Sequence, residues 1–387
     1  RKSIGINQND PSVMKIVLVG PFPPFRGGIS DLNVALAHHL SKRHEIHAIN
    51  FTTQYPKVLF PGKTQFKKGD HALEVDSIRC LSSINPFSWR KTANKIIDLE
   101  PDLVLFSFWL AFFAPAFSGV AKKIKKYSDA TIMVICHNII PHEEHLLGTR
   151  LTKRFFSFID SFFVLSKKVK NELLSFVPEA KYKYSPHPIY NIFNNTLSKE
   201  QAKAELNIAT KKVLLFFGLI RKYKGLDILI NAMEKINTEL EDYTLLIVGE
   251  CYENKGKYTD LIKKAGITDN VQCHYYFVPD NEVGKYFSAS DVVVLPYKTA
   301  SQSGIVQIAY HFNTPVIVSN VGGLPEIVDE GKTGYCVEPS PNAFAKAIKA
   351  FYEKDNISEL NSNISDYKSQ FSWDNMVNAI EELVNVH

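Results

Sequence analysis

Cysteine is scarce and unpatterned in this chain of 387 residues: five residues, at positions 80, 136, 251, 273 and 336, with no C-x-x-C pair. An odd, scattered set excludes a disulfide framework and a zinc ribbon, and it points to a reducing compartment. Also absent is H-E-x-x-H. The nearest match, "HEEH" at 142–145, has Leu146 where the second histidine would stand. With no further ligand pair beside Cys136, His137, His142 and His145, an ordinary loop cluster and no metal are expected. No G-x-G-x-x-G opens a helix after a strand, which argues against a nicotinamide dehydrogenase. The start shows no charged, apolar and small-residue signal pattern. A one-sided charge is missing too: 45 Lys+Arg stand against 40 Asp+Glu, a net +5. That balance favours anionic ligands weakly and gives no sign of a nucleic-acid partner.

Long apolar runs are almost absent. The exception is Leu103 to Val120, interrupted by Pro115 and Gly119 and followed at once by "AKKIKKY". It reads as a buried strand, a turn and a helix rather than a membrane span. Lys122, Lys123, Lys125 and Lys126, beside candidate exposed aromatics, fit shallow contact with a membrane better than crossing, or else simply a solvated helix face. The expected location is cytoplasmic, peripheral at the inner face of the membrane.

What the chain does have is alternation. Short β-rich runs ("KIVLVG", "EIHAINF", "DLVLFS", "TIMVICH", "SFFVLS") are separated by helical stretches such as "KKVKNELLSF". The pattern restarts with "KVLLFFG", "YTLLIVG", "VQCHYYF", "DVVVLPY" and "PVIVSN". Such alternation implies parallel sheets covered on both faces. Length suits two domains. The expected division is an N-terminal Rossmann-like domain (1–187), a linker (188–198), a C-terminal Rossmann-like domain (199–366) and a final helix (367–387). Two doubly wound domains facing a central cleft would bind ligands at the carboxyl ends of their strands.

The chemistry candidates sit at strand ends. In "GPFPPFRGGIS", Gly27 and Gly28 precede a helix and allow close backbone approach to an anion. His137 comes directly off a strand and could bond a sugar hydroxyl or polarise a reacting group. In "FFGLIRKYKGLDIL", Arg221, Lys222 and Lys224 follow a strand, where fixed cations suit a diphosphate. "TASQSGIVQIAYHFNTPV" starts polar and turns apolar, with a helix beginning near Ser303. Ile305, Ile308, Ala309 and Phe312 form its core face; Gly304, Gln307 and His311 fall on another. Its free N–H groups can hold phosphate without side-chain charge, and the Gln307 amide suits a ribose hydroxyl. In "VGGLPEIV", Glu326 is expected to open a helix, either as plain dipole stabilisation or as a secondary donor-binding residue. The segment 51–70 could be an acceptor loop or a solvated surface loop.

Taken in order, the Gly-Gly loop, the strand-end His137, Arg/Lys before "KG", the glycine-containing helix start and "VGGLPEIV" resemble the retaining glycosyltransferases of family 4. The resemblance runs over nearly the whole chain. It implies an α/β GT-B fold and transfer of a sugar from a nucleotide-sugar donor with retention, without a metal or other cofactor. It also suggests a glycan or lipid-linked acceptor from the cell envelope, and a last helix that crosses back to the N-terminal domain. Carried over, Gly27 and Gly28 lie near the donor phosphate, His137 contacts the transferred sugar, and Lys224 matches the diphosphate lysine. Arg221 stands in for an arginine normally placed where this chain has Leu219. Tyr276, Phe277 and Val278 fall near the base-binding segment. The family's E-x7-E glutamates are replaced by Ala300 and Ile308, leaving Gln302, Ser303 and Gln307 as the nearby polar groups. A nucleotide-sugar epimerase or hydrolase of the same fold, or a nucleotide-sugar-binding protein of weak activity, remains open at this point.

Overall fold

The computed structural model describes residues 13–56, 64–66, 75–140, 146–189, 193 and 197–385. They divide into two compact units: Arg1–Pro186 with Trp373–His387, and His187–Ser372.

Unit 1 alternates in the order β1 (Lys15–Val19), α1 (Gly28–Leu40), β2 (Glu45–Thr53), β3 (Ser77–Ser82), α2 (Pro86–Ile97), β4 (Leu103–Phe108), α3 (Ala114–Tyr127), β5 (Thr131–Cys136), α4 (Leu146–Phe156), β6 (Ser161–Val164), α5 (Lys167–Phe176) and β7 (Tyr182–Tyr184). The seven strands pair in the order β3-β2-β1-β4-β5-β6-β7, all parallel. Central strands such as "LVLFSF" are buried at every position, as a sheet covered on both faces requires. Four aromatics of 103–120 are core, with Phe106, Phe108, Phe113 and Phe117 each 0% exposed, and Trp109 and Phe112 are partly covered. Of the aromatics beside the lysines of α3, only Tyr127 is exposed, at 59%; strand and helix burial takes up most of the run before it. No helix among the described residues is long and apolar enough to cross a membrane.

Unit 2 continues with α6 (Lys199–Glu205), β8 (Lys212–Phe217), α7 (Leu226–Ile236), β9 (Tyr243–Val248), α8 (Lys255–Lys264), β10 (Val271–His274), α9 (Asp280–Ala289), β11 (Val292–Leu295), α10 (Gly304–His311), β12 (Val316–Ser319), β13 (Gly334–Val337), α11 (Pro341–Glu353) and α12 (Ile357–Tyr367). Its six strands run β10-β9-β8-β11-β12-β13, again parallel. Helix starts are capped by side chains that accept from free N–H groups: Ser166 from Val169, Ser198 in a reciprocal box with Gln201, and Ser340 from Ala343. Each cap satisfies a donor that the helix itself cannot.

The last helix, α13 (Trp373–Asn385), leaves unit 2 and packs on α1 and β7 of unit 1. Polar contacts fix it there. The Arg43 guanidinium donates to Asn378 at 2.6 Å and pairs with Glu381 at 3.2 Å. His44 meets Glu381 at 2.9 Å. The His39 ring stacks on Trp373 with centroids 5.1 Å apart.

Candidate functional site

In unit 1 the loop after β1 is held by side chains the sequence reading passed over. Buried Asn50, on β2, accepts from the Phe22 N–H at 3.2 Å and donates to the Phe22 and Pro23 carbonyls at 3.0 Å each. Asn33, on α1, donates to the Pro21 carbonyl at 3.0 Å and accepts from the Ser107 hydroxyl at 2.6 Å. The available signal was amide side chains at positions that the helix and strand periods bury. This frame sets up Gly27, whose φ of +122° only glycine adopts readily, and exposed Gly28, the first residue of α1. His137 follows β5 directly. It is 7% exposed, and its backbone N–H donates to the Phe108 carbonyl at 2.8 Å. His142 and His145 lie outside the described residues, as does most of 51–70. Among the described residues no three His, Cys, Asp or Glu side chains converge on a place for a metal ion.

In unit 2, four elements meet. β8 ends at Phe217, and the segment Lys222–Lys224 makes one tight turn before α7. Gly225 at the junction has φ +69°, and a Cβ there would lie 1.8 Å from the Pro296 carbonyl oxygen. The basic turn therefore rests against the end of β11, and only glycine allows it. Beside Pro296 stands Tyr297, 0% exposed. The Lys224 ammonium lies 3.7 Å from the centre of its ring. The Tyr297 hydroxyl shares a 3.2 Å hydrogen bond with Ser303 Oγ. Ser303 in turn caps α10, accepting from the Ile305 N–H at 3.3 Å. Tyr297 thus ties the basic turn to the helix start, a role no short motif announced.

The electrostatics favour an anion here. Burial lowers the Lys224 pKa to about 8, with Tyr223 raising it and Arg221 lowering it. The Arg221 guanidinium lies 4.7 Å from the Tyr252 ring centre, and its Nε is buried without a partner. Arg221, Lys224, Ser303 and Gly304 are therefore brought together within unit 2. No carboxylate among the described residues forms an ion pair with Arg221 or Lys224.

Two expectations about this region change. Gln307 does not stand apart from the core: it is 0% exposed, and neither amide oxygen nor amide nitrogen has a partner. Val306, Ile308, Ala309 and Tyr310 are buried with it, while Ile305 and Phe312 are only partly covered. α10 is enclosed nearly all round, so helical period alone misassigned its faces. Gln302 Oε1 is also buried and unpartnered. Glu326 does not open a helix. Residues 321–329 form turns and bends, with the Tyr310 hydroxyl donating to the Ile327 carbonyl at 2.9 Å. Two glycines and Pro325 favour that irregular path over helix.

At the end of β10, Tyr276 is 41% exposed, Phe277 is partly covered and Val278 is 7% exposed. The Tyr276 hydroxyl meets Tyr286 Oη at 2.6 Å, which meets His274 Nδ1 at 3.2 Å. This chain of hydrogen bonds holds an aromatic ring at the unit's strand-end edge.

Comparison with known proteins agrees with this geometry. The family model described as "Glycosyl transferases group 1" matches residues 198–371, nearly all of unit 2. Spore coat protein SA of Bacillus subtilis (strain 168) is 23% identical over 403 residues, covering 97% of this chain and 99% of that protein. An uncharacterised glycosyltransferase of Methanocaldococcus jannaschii is 32% identical over 238 residues, 58% of each chain. Among solved structures, sucrose-phosphate synthase from Thermosynechococcus elongatus superposes with a TM-score of 0.75 at 18% identity, covering 96% of this chain and 98% of that one. Anabaena HepE in complex with UDP gives 0.72 at 17% identity, covering 97% and 100%. The chain has the α/β GT-B fold.

Proposed function

We propose that this protein is a glycosyltransferase that moves a sugar from a nucleotide-diphosphate donor to an acceptor. The observation that carries the reading is the assembly in unit 2 of the Lys224 ammonium, the Arg221 guanidinium and the Ser303-capped start of α10. Fixed cations and free helix N–H groups are what a departing diphosphate needs. The match to glycosyl transferases group 1 over residues 198–371 supports the same class, as does a structural neighbour in complex with UDP.

The mechanism proposed is transfer with retention by a front-face path, independent of metal. The bond between the anomeric carbon and the diphosphate oxygen breaks, giving an oxocarbenium-like transition state. The acceptor oxygen bonds that carbon from the same side while its proton passes to the leaving phosphate. Lys224 and Arg221 offset the charge that grows on the diphosphate, and α10 adds backbone N–H groups. His137 is assigned a hydrogen bond to the transferred sugar, Gly27 and Gly28 close backbone approach, and Tyr276, Phe277 and Val278 the nucleotide base. The acceptor class is a glycan or a lipid-linked sugar, and five free thiols support a reducing, cytoplasmic setting.

Lys224→Ala tests the reading. With sugar release from a panel of nucleotide sugars as readout, the variant should lose about a hundredfold or more in kcat while keeping its Tm. An unchanged rate would remove Lys224 from the mechanism. Failure of every nucleoside diphosphate to raise the wild-type Tm would remove the donor class itself.

A further inference from the structure

The outer surface of unit 1 carries a charge segregation that the transfer chemistry does not use. Helix α2 bears Arg90, Lys91 and Lys95, α3 bears four lysines, and α4 bears Arg150, Lys153 and Arg154; the three helices contain no Asp or Glu. α2 packs on α3 and α3 on α4, so these cations share one layer. All but Lys123 are exposed. Among the described residues only Lys125 of this set is ion-paired, to Asp160. Since the whole chain is only +5, everything outside these helices is net acidic.

Large apolar side chains stand out in the same layer. Phe87 is 88% exposed, Leu147 69%, Tyr127 59% and Ile84 56%. A phenylalanine left almost wholly in water by its own fold is unusual, since burying it is favourable. α2, α3 and α4 each follow a strand of a parallel sheet, so their N-termini lie at one edge of it. Ile84, Phe87 and Leu147 therefore crown that edge, and the cations run back from it along the helices.

We propose that this face docks on an anionic bilayer surface, with Phe87, Ile84 and Leu147 entering the headgroup region and the cations of α2 to α4 lying over acidic lipid. Isolated apolar residues at a rim, backed by many exposed cations on helices that carry no carboxylate of their own, match a surface whose charges are themselves mobile. The core of a protein–protein interface is the reverse, rich in aromatics and depleted of lysine. The docking does not depend on the sugar-transfer reading, because no residue assigned to that reaction is part of it.

The test is flotation of the full chain with vesicles of phosphatidylcholine alone and of phosphatidylcholine mixed with phosphatidylglycerol. Binding is expected to the mixed vesicles only and to weaken as salt rises. Phe87→Ser should lower the partition about tenfold. The pair Arg90→Gln and Lys91→Gln should lower it ~30-fold, from about a factor of five per cation near such a surface. All three positions are exposed, so the variants should keep the wild-type Tm. Phe87→Trp places a reporter at the contact, and its emission should shift to the blue on mixed vesicles. Equal binding to both vesicle types, or an unmoved reporter on bound protein, would overturn the proposal. So would a concentration-dependent dimer that Phe87→Ser abolishes, or tighter binding to duplex DNA than to mixed vesicles.

Discussion

Tyr297 uses both parts of its side chain: the ring faces the Lys224 ammonium and the hydroxyl meets Ser303. An aromatic face can hold a cation without neutralising it, so Lys224 stays available to a ligand phosphate. Its lowered pKa has a consequence that runs in one direction. In the free protein the ammonium is present below about 8 and is lost above it, whereas a diphosphate binds the charged form. Donor affinity should therefore fall as pH rises through about 8, and Lys224→Arg should remove that dependence. Calorimetric titration across the interval decides; equal pH dependence in both proteins would contradict it. Gln307 offers a different test. Two buried, unpartnered amide atoms each cost about 1–3 kcal/mol when no ligand meets them. Gln307→Met, of similar volume, should raise the stability of the free protein by that order and weaken donor binding together. A variant that gains stability without losing affinity would show that the amide has no part in the site. Neither Tyr297 nor the burial of Gln307 was legible in the sequence. Both depend on how β11 and α10 pack, and single-element periods carry no such information.

At the scale of elements, the sequence was most informative where burial is two-sided. Continuous apolar runs such as "KVLLFF" and "YTLLIV" could only be central strands, and Ser303 marked the start of α10 because its hydroxyl replaces a missing acceptor. The strands β3 and β13 escaped notice. Both lie at sheet edges, half exposed, with mixed side chains and no apolar run to announce them. Glu326 misled for a related reason: an acidic residue beside apolar ones looks like a helix start, and only the turn geometry around Pro325 cancels it. One element is sensitive to acid. The ring of His39, stacked on Trp373 of α13, has its pKa lowered to about 4, chiefly by burial and then by Lys42. The folded state favours the neutral ring, so its stabilising share is complete above the ordinary value of 6.5 and shrinks as pH falls toward 4. Between about pH 7 and about pH 5, the wild type should lose more Tm than His39→Phe, which keeps the stack but cannot titrate. Parallel losses would show that His39 does not control the acid response.

For the whole molecule, the point of interest is the path of the chain. Unit 2 is entered at His187 and left at Ser372, and its two ends lie side by side, with the Ile189 N–H donating to the Phe371 carbonyl at 3.0 Å. Deleting everything after residue 372 should therefore lower the melting transition of unit 1 and leave that of unit 2 in place, as two-transition calorimetry can resolve. A single transition lowered as one would argue that the units unfold together. The return of α13 also has a bearing on biogenesis. Unit 2 is an insert within unit 1, so a ribosome finishes all of unit 2 before it supplies the helix that covers α1 and β7. During that interval the first unit has its sheet but not its final cover, and the second can fold complete. Of the two units, the one begun first is the one completed last, which makes the time between those two moments the stage at which this protein is most exposed to misassembly.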